Sequence, residues 1–190
     1  MQMDLKRISV LLVLVITLSA CVGVQSMLLP SNDVNRKEIK SCTVIDEPGR
    51  YELTADIRNG GGTGISQSCI EIRSGNVILD GNGHAIDGRG NSHTTAIQVK
   101  TTEDGNDILI TNMTLTDWHK GVAFENGSQG KIQNVTAASN VYGIAVENSS
   151  QVITKDNKLR RNLVGMKISD DSIHIELWGN TFSDNQVKTM

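Results

Sequence analysis

Four short phrases between Ala96 and Ile168 decide the fold: Ala96-Ile97-Gln98-Val99, Gly121-Val122-Ala123-Phe124, Gly143-Ile144-Ala145-Val146 and Gly165-Met166-Lys167-Ile168. Each opens on a small residue and continues apolar, variable, apolar. Gly121 to Gly143 and Gly143 to Gly165 are both intervals of 22 residues. One strand-like phrase per unit at a fixed period predicts a solenoid, in which a unit buries its apolar face only by stacking on its neighbours. Side chains on a strand alternate sides. The columns Ile70, Ile97, Val122, Ile144, Met166 and Ile72, Val99, Phe124, Val146, Ile168 therefore point inward, with Glu71, Gln98, Ala123, Ala145 and Lys167 outward.

Working outward, a second strand follows each phrase, at Val77-Ile78-Leu79, Ile108-Leu109-Ile110, Lys131-Ile132, Val152-Ile153 and Ile175-Glu176-Leu177. Leu115, Ala137, Leu159 and Phe182 mark a third apolar position. Asn140, Asn162 and Asn185 each follow the last three by three residues, and Trp118 holds the matching place one rung earlier. Asn tolerates a left-handed bend, and stacked amides can hydrogen-bond along the axis, so these Asn residues read as a structural ladder ahead of a sugar site. Upstream, Val44-Ile45 and Tyr51-Glu52-Leu53 flank a Pro48-Gly49 turn and read as an N-terminal cap. Gly60-Gly61-Gly62 with Gly64 reads as a surface loop. The fold expected is all-β: a right-handed single-stranded parallel β-helix of about five rungs, spanning residues 41–190.

The first 20 residues read as an export signal. Lys6 and Arg7 precede a ten-residue apolar run from Ile8 to Thr17, too short for a bilayer span of about 20 residues. Leu18-Ser19-Ala20-Cys21 resembles a lipobox, which makes Cys21 the lipidated mature N-terminus; the alternative is cleavage near Ser26. Residues 21–40 read as a tether, with Pro30 breaking pattern and charges at Arg36, Lys37, Glu38 and Lys40. With Cys21 lipidated, Cys42 and Cys69 remain, an even number in an oxidising compartment. A Cys42–Cys69 disulfide is expected, contributing on the order of 3 kcal/mol; the alternative is two buried free thiols. A net charge of −3 gives no reason to expect nucleic acid as a partner, and any membrane contact would come through the lipid anchor alone.

The segments Pro48-Gly49-Arg50-Tyr51-Glu52-Leu53-Thr54, Ser68-Cys69-Ile70-Glu71-Ile72 and Val77-Ile78-Leu79-Asp80-Gly81-Asn82-Gly83-His84-Ala85-Ile86-Asp87-Gly88, with the Asn turns, resemble the right-handed parallel β-helix surface proteins related to the NosD and carbohydrate-binding/sugar-hydrolase repeat families. The resemblance covers roughly residues 42–185. It implies an exported cell-surface protein, and it identifies fold better than activity because lyases, hydrolases and non-catalytic members share the architecture.

The function expected is a non-catalytic carbohydrate-binding or adhesion module on the extracellular face of the envelope. Trp118 and Tyr142, on consecutive rungs, are candidates to stack on a sugar, or else they close the ends of the apolar stack. Trp178 lies near another side. Polysaccharide cleavage is the alternative. Its candidates are Asp80, His84 and Asp87 in a Gly-rich corner and the pair Asp170-Asp171, where an acid and a base could flank a glycosidic bond. The Gly-rich corner reads first as a turn, and the motifs expected downstream of the double Asp are missing. A lyase would add Ca²⁺ as cofactor; otherwise no cofactor or metal is expected. The NosD resemblance suggests copper delivery, yet Met27, Met113, Met166, Met190 and the four His are dispersed. A purely structural envelope component is a third reading. The chain stops soon after Asn185, and an uncapped parallel edge there would invite self-association.

Overall fold

The computed structural model describes residues 36–61, 67–101 and 107–190. Every strand pair in it is parallel, and the strands form two long sheets. The first runs Arg36–Ile39, Gly49–Leu53, Val77–Asp80, Ile108–Thr116, Ser128–Ala138, Ser150–Lys155 and Glu176–Trp178. Ala85–Asp87, Lys158–Arg160 and Thr181–Ser183 extend it past a bend. The second runs Thr43–Ile45, Ser68–Ile72, Thr95–Lys100, Lys120–Glu125, Tyr142–Glu147, Val164–Ile168 and Val187–Thr189. Seven strands along the main path of the ten-stranded first sheet, and seven in the second, amount to about six turns of a β-solenoid. The extra turn is the segment read as a cap. Thr43 pairs with Ile70 and Arg36 with Arg50 in the same parallel register as later turns, so the cap is the first turn itself.

Register follows the repeated phrase. Ile70, Ile97, Val122, Ile144 and Met166 pair in succession, and each is fully buried. Ile72, Val99, Phe124 and Val146 form the second buried column, and Ile168 packs against it half-buried. Burying each such side chain stabilises by about 1.5–3 kcal/mol. The small residue that opens the phrase has a steric reason. A Cβ at Gly121 would lie 2.5 Å from the Gly143 carbonyl oxygen, and one at Gly143 2.5 Å from that of Gly165. Adjacent turns touch there through bare backbone.

Strand order begins at Arg36, inside the stretch expected to be tether, because Ile39 is buried and Arg36 pairs with Glu52. The export signal, Cys21 and the rest of the tether lie outside the described residues. So do Gly62 and Gly64. Gly60, expected in a surface loop, is buried against the Trp118 ring, which a Cβ there would meet at 2.8 Å. The Cys42–Cys69 disulfide is present and ties the first turn to the second.

Asn140, Asn162 and Asn185 form the expected ladder, by a different device. The Asn162 amide oxygen accepts the Asn140 backbone N–H at 3.0 Å, and its nitrogen donates to the Ala137 carbonyl at 3.0 Å and to the Asn185 oxygen at 3.0 Å. The left-handed backbone falls one residue earlier, at Ser139, Arg161 and Asp184. These three Asn are therefore held by side-chain hydrogen bonding; the bend is made by their neighbours. A second ladder runs through Asn157 and Asn180 at the other bend.

Candidate functional site

The outer face of the second sheet carries the densest side-chain chemistry. Register sets Gln98, Ala123, Ala145 and Lys167 in one outward column, and Lys100, Glu125 and Glu147 in the next. The alanines leave a trough that longer neighbours cross. The Lys120 ammonium donates to Glu125 and to Glu147, each at 2.8 Å, and Lys167 donates to Glu147 at 2.6 Å. The chain of bonds continues upward: Gln98 donates to Glu125 at 2.9 Å, and Ser68 donates to Gln98 at 2.5 Å. This strap explains why Ala123 and Ala145 are fully buried although they face outward.

The strap sets its own electrostatics. Burial pushes the Glu147 carboxyl up, but the bonds from Lys120 and Lys167 outweigh it and hold the group below the usual carboxylate range. Burial likewise favours neutral Lys120, yet Glu125 and Glu147 hold its ammonium above the ordinary Lys value.

Beside the strap, rings line up on three consecutive turns. The His93 and His119 centroids are 5.7 Å apart, and His119 meets Tyr142 edge-on at 5.5 Å. Backbone bonds fix this, with the Tyr142 N–H donating to the His119 carbonyl at 2.8 Å. The Lys167 ammonium sits 5.5 Å over the Tyr142 ring. Burial first, then His93 and Lys120, lower the His119 pKa. Ser68, His93, Gln98, His119, Lys120 and Glu125 line a depression of about 280 Å³.

Tyr142 thus stands where a ligand could reach it, and Trp118 does not. Trp118 is buried, its ring packed on Gly60 and Gly88 and its indole N–H donating to the Ile86 carbonyl at 3.1 Å. Its backbone N–H donates to the Asn140 amide oxygen at 2.9 Å, so it tops the Asn ladder and closes the apolar stack. Its expected role on a sugar is corrected accordingly. The ring neighbours of Tyr142 are histidines. Their signal was a ring-bearing residue at or just before the repeated phrase on three turns, at His93, His119 and Tyr142.

The carboxylate candidates do not converge. Asp80 accepts from the Asn82 N–H at 2.9 Å and from the Asn112 amide at 3.3 Å, which shapes a turn. His84 faces Asp56 at 3.2 Å. Asp87 accepts from Thr116 at 2.5 Å and lies against Asp117, whose carboxyl is raised by burial and then by Asp87. Asp170 and Asp171 form an exposed turn in which the Ser172 N–H bonds the Ser169 carbonyl at 2.9 Å.

Residues 30–190 match the family described as "Periplasmic copper-binding protein (NosD)". The chain belongs to the NosD family. No curated protein and no solved structure matches it. The family is periplasmic, and this NosD-family chain is an exported parallel β-helix protein. The description implies copper, which takes thioether or thiolate ligands as Cu(I) and imidazole as Cu(II). The residues here do not fit it. Met113 and Met166 are buried in the core, and Cys42 and Cys69 are joined. His93 and His119 pair, but no group of three or more His, Cys, Asp or Glu converges among the described residues.

Proposed function

We propose that this NosD-family protein is a non-catalytic glycan-binding or adhesion module, held at the extracellular face of the envelope by a lipid on Cys21. The glycan lies against the outer face of the second sheet, over His93, His119 and Tyr142. The observation that carries this reading is the ladder of three rings on consecutive turns, set beside Gln98, Glu125 and Lys120. Ring faces stack on the apolar face of a sugar, and amide, carboxylate and ammonium groups bond its hydroxyls. The strap is charge-balanced, which suits a neutral glycan over a strongly anionic one. A second reading, acid–base cleavage of a polysaccharide, draws on the Asp117 carboxyl, which burial and then the adjacent Asp87 hold above the usual carboxylate range. A structural envelope role remains when neither site takes a ligand.

Incubation with neutral and acidic polysaccharides, with and without Ca²⁺, tests this by polymer size and co-elution. Intact polymer that co-elutes with protein is the expected result, with Tyr142→Ala or His119→Ala weakening binding by about tenfold, roughly 1.4 kcal/mol. Shortened polymer overturns the reading and sends attention to Asp87 and Asp117. Mass spectrometry of the mature N-terminus tests the anchor: a diacylglyceryl Cys21 is expected, and an unmodified residue near Ser26 excludes it.

A further inference from the structure

The outer face of the first sheet carries an apolar column. Ile78, Leu109, Lys131 and Ile153 pair in that order across successive turns, and each is half-buried between two buried strand neighbours. The next column on the same face is polar, with Asp80, Thr111, Gln133 and Lys155. Solubility accounts for that column. It does not account for three branched aliphatic side chains beside it, since the core is filled from the inner face by Val77, Leu79, Ile108, Ile110, Ile132 and Val152.

The aliphatic column floors a depression of about 500 Å³, which Asp107, Gln129 and Gln151 complete at the entry to the strands. Small-ligand sites have roughly 300–1,000 Å³ and this same make-up, an apolar lining with a few polar groups that fix orientation. Gln129 and Gln151 take a left-handed backbone, with φ of 55° and 54°, and stand exposed on consecutive turns. Lys131 supplies the charge. Its half-buried stem adds to the aliphatic floor, and its ammonium forms no ion pair among the described residues. Asp107 is the other charged group in the depression, two residues before Leu109 and one turn away from Lys131. One cation flanked by two amides complements an anionic head group, and the floor offers an apolar body no hydroxyl partner.

We propose that this groove is a second ligand site, which takes a free single-chain carboxylate of the fatty-acid class. The alkyl chain lies over Ile78, Leu109 and Ile153, and the carboxylate accepts from the Lys131 ammonium, with the Gln129 and Gln151 amides as further donors. The proposal is independent of the glycan reading, whose residues lie on the other sheet. Calorimetric titration of the full exported protein, free of detergent, with decanoate below its micellar concentration is the test. A saturable one-to-one isotherm is expected, with decanol bound about tenfold more weakly, the scale of one charge-assisted hydrogen bond. Lys131→Gln should weaken decanoate by about tenfold and leave decanol unchanged. Asp107→Asn should tighten decanoate, and Ile153→Gln should weaken both ligands. All three side chains line the outer face, so the melting temperatures should stay near that of the parent. Tyr142→Ala should leave decanoate binding unchanged. An isotherm that does not saturate overturns the proposal, as does equal binding of decanoate and decanol. Full decanoate affinity in Lys131→Gln overturns it too, and lost affinity in Tyr142→Ala would move the ligand to the glycan face and overturn it equally.

Discussion

The ring and glycine columns show how single residues carry this fold. The His119 pKa is lowered chiefly by burial and next by His93, so His93→Gln should raise it toward the ordinary value. Proton NMR of the His119 ring checks this; a pKa that fails to rise would remove His93 as a cause. The same shift links to stability. The unfolded chain takes up the proton at about 6.5 and the folded one only at lower pH, so stability should fall as pH drops through 6.5 and level off below the folded pKa. The glycine column makes a blunter statement. Gly143→Ala drives a methyl to 2.5 Å from the Gly165 carbonyl and 3.0 Å from the Asn162 amide. A loss of about 1–3 kcal/mol by urea unfolding is expected; an unchanged midpoint would mean the turns can spread. The inward columns were legible in sequence because a period of two within a period of 22 fixes which side chains face the core. Trp118 was not. It stands at a turn, where periodicity gives position along the axis but not direction, and its place above Asn140 shows only in three dimensions.

Between turns, the Asn ladder couples the bends of successive turns through side-chain bonds. Asn162 is buried and bonds the turns on both sides of its own, through Asn140 and Ala137 on one side and Asn185 on the other. Asn162→Ala leaves the Asn140 N–H and the Ala137 carbonyl without partners, at a cost of about 2–4 kcal/mol. Asn185→Ala, part-exposed in the last turn, should cost about 1 kcal/mol, since water can replace the lost bonds. Denaturant midpoints compare them; equal losses would show that the ladder does not depend on burial. The ladder's existence could be read from its spacing. Its mechanism could not, because Asn serves both as a left-handed residue and as an amide donor. In this chain those duties are divided: Asn112 and Asn134 take the positive φ, whereas Asn140 and Asn162 take the bonds. The site was half legible for a similar reason. Tyr142 could be found by type, but the strap from Lys120 across Ala123 and Ala145 depends on which columns neighbour each other across the sheet.

At the scale of the whole molecule, each turn rests mainly on the turns above and below, so stability is close to a sum of turn and interface terms. The sequence displayed this one-dimensional order as its period, and its first turn was legible as a cap where Pro48 and long connections interrupt the repeat. The consequence for unfolding is specific. Phe124 is fully buried in a middle turn, its ring filling the space that Gly127 and Gly130 leave open; a Cβ at Gly130 would lie 2.3 Å from it. Phe124→Ala should cost about 3–5 kcal/mol and open a weak joint in the stack, so that the turns on either side part company. Phe182 is part-buried in the last turn, and Phe182→Ala should fray that turn and leave the rest unchanged. Hydrogen exchange separates the two cases. For Phe124→Ala, protection should fall on both sides of residue 124 and urea unfolding should broaden or split. For Phe182→Ala, lost protection should stay within residues 173–190. The Cys42–Cys69 bond ties the first turn to the second. Reducing it in the Phe124→Ala variant should therefore release residues 36–45 first, and a wild-type-like, single transition in that doubly weakened protein would show that the stack unfolds as one unit after all.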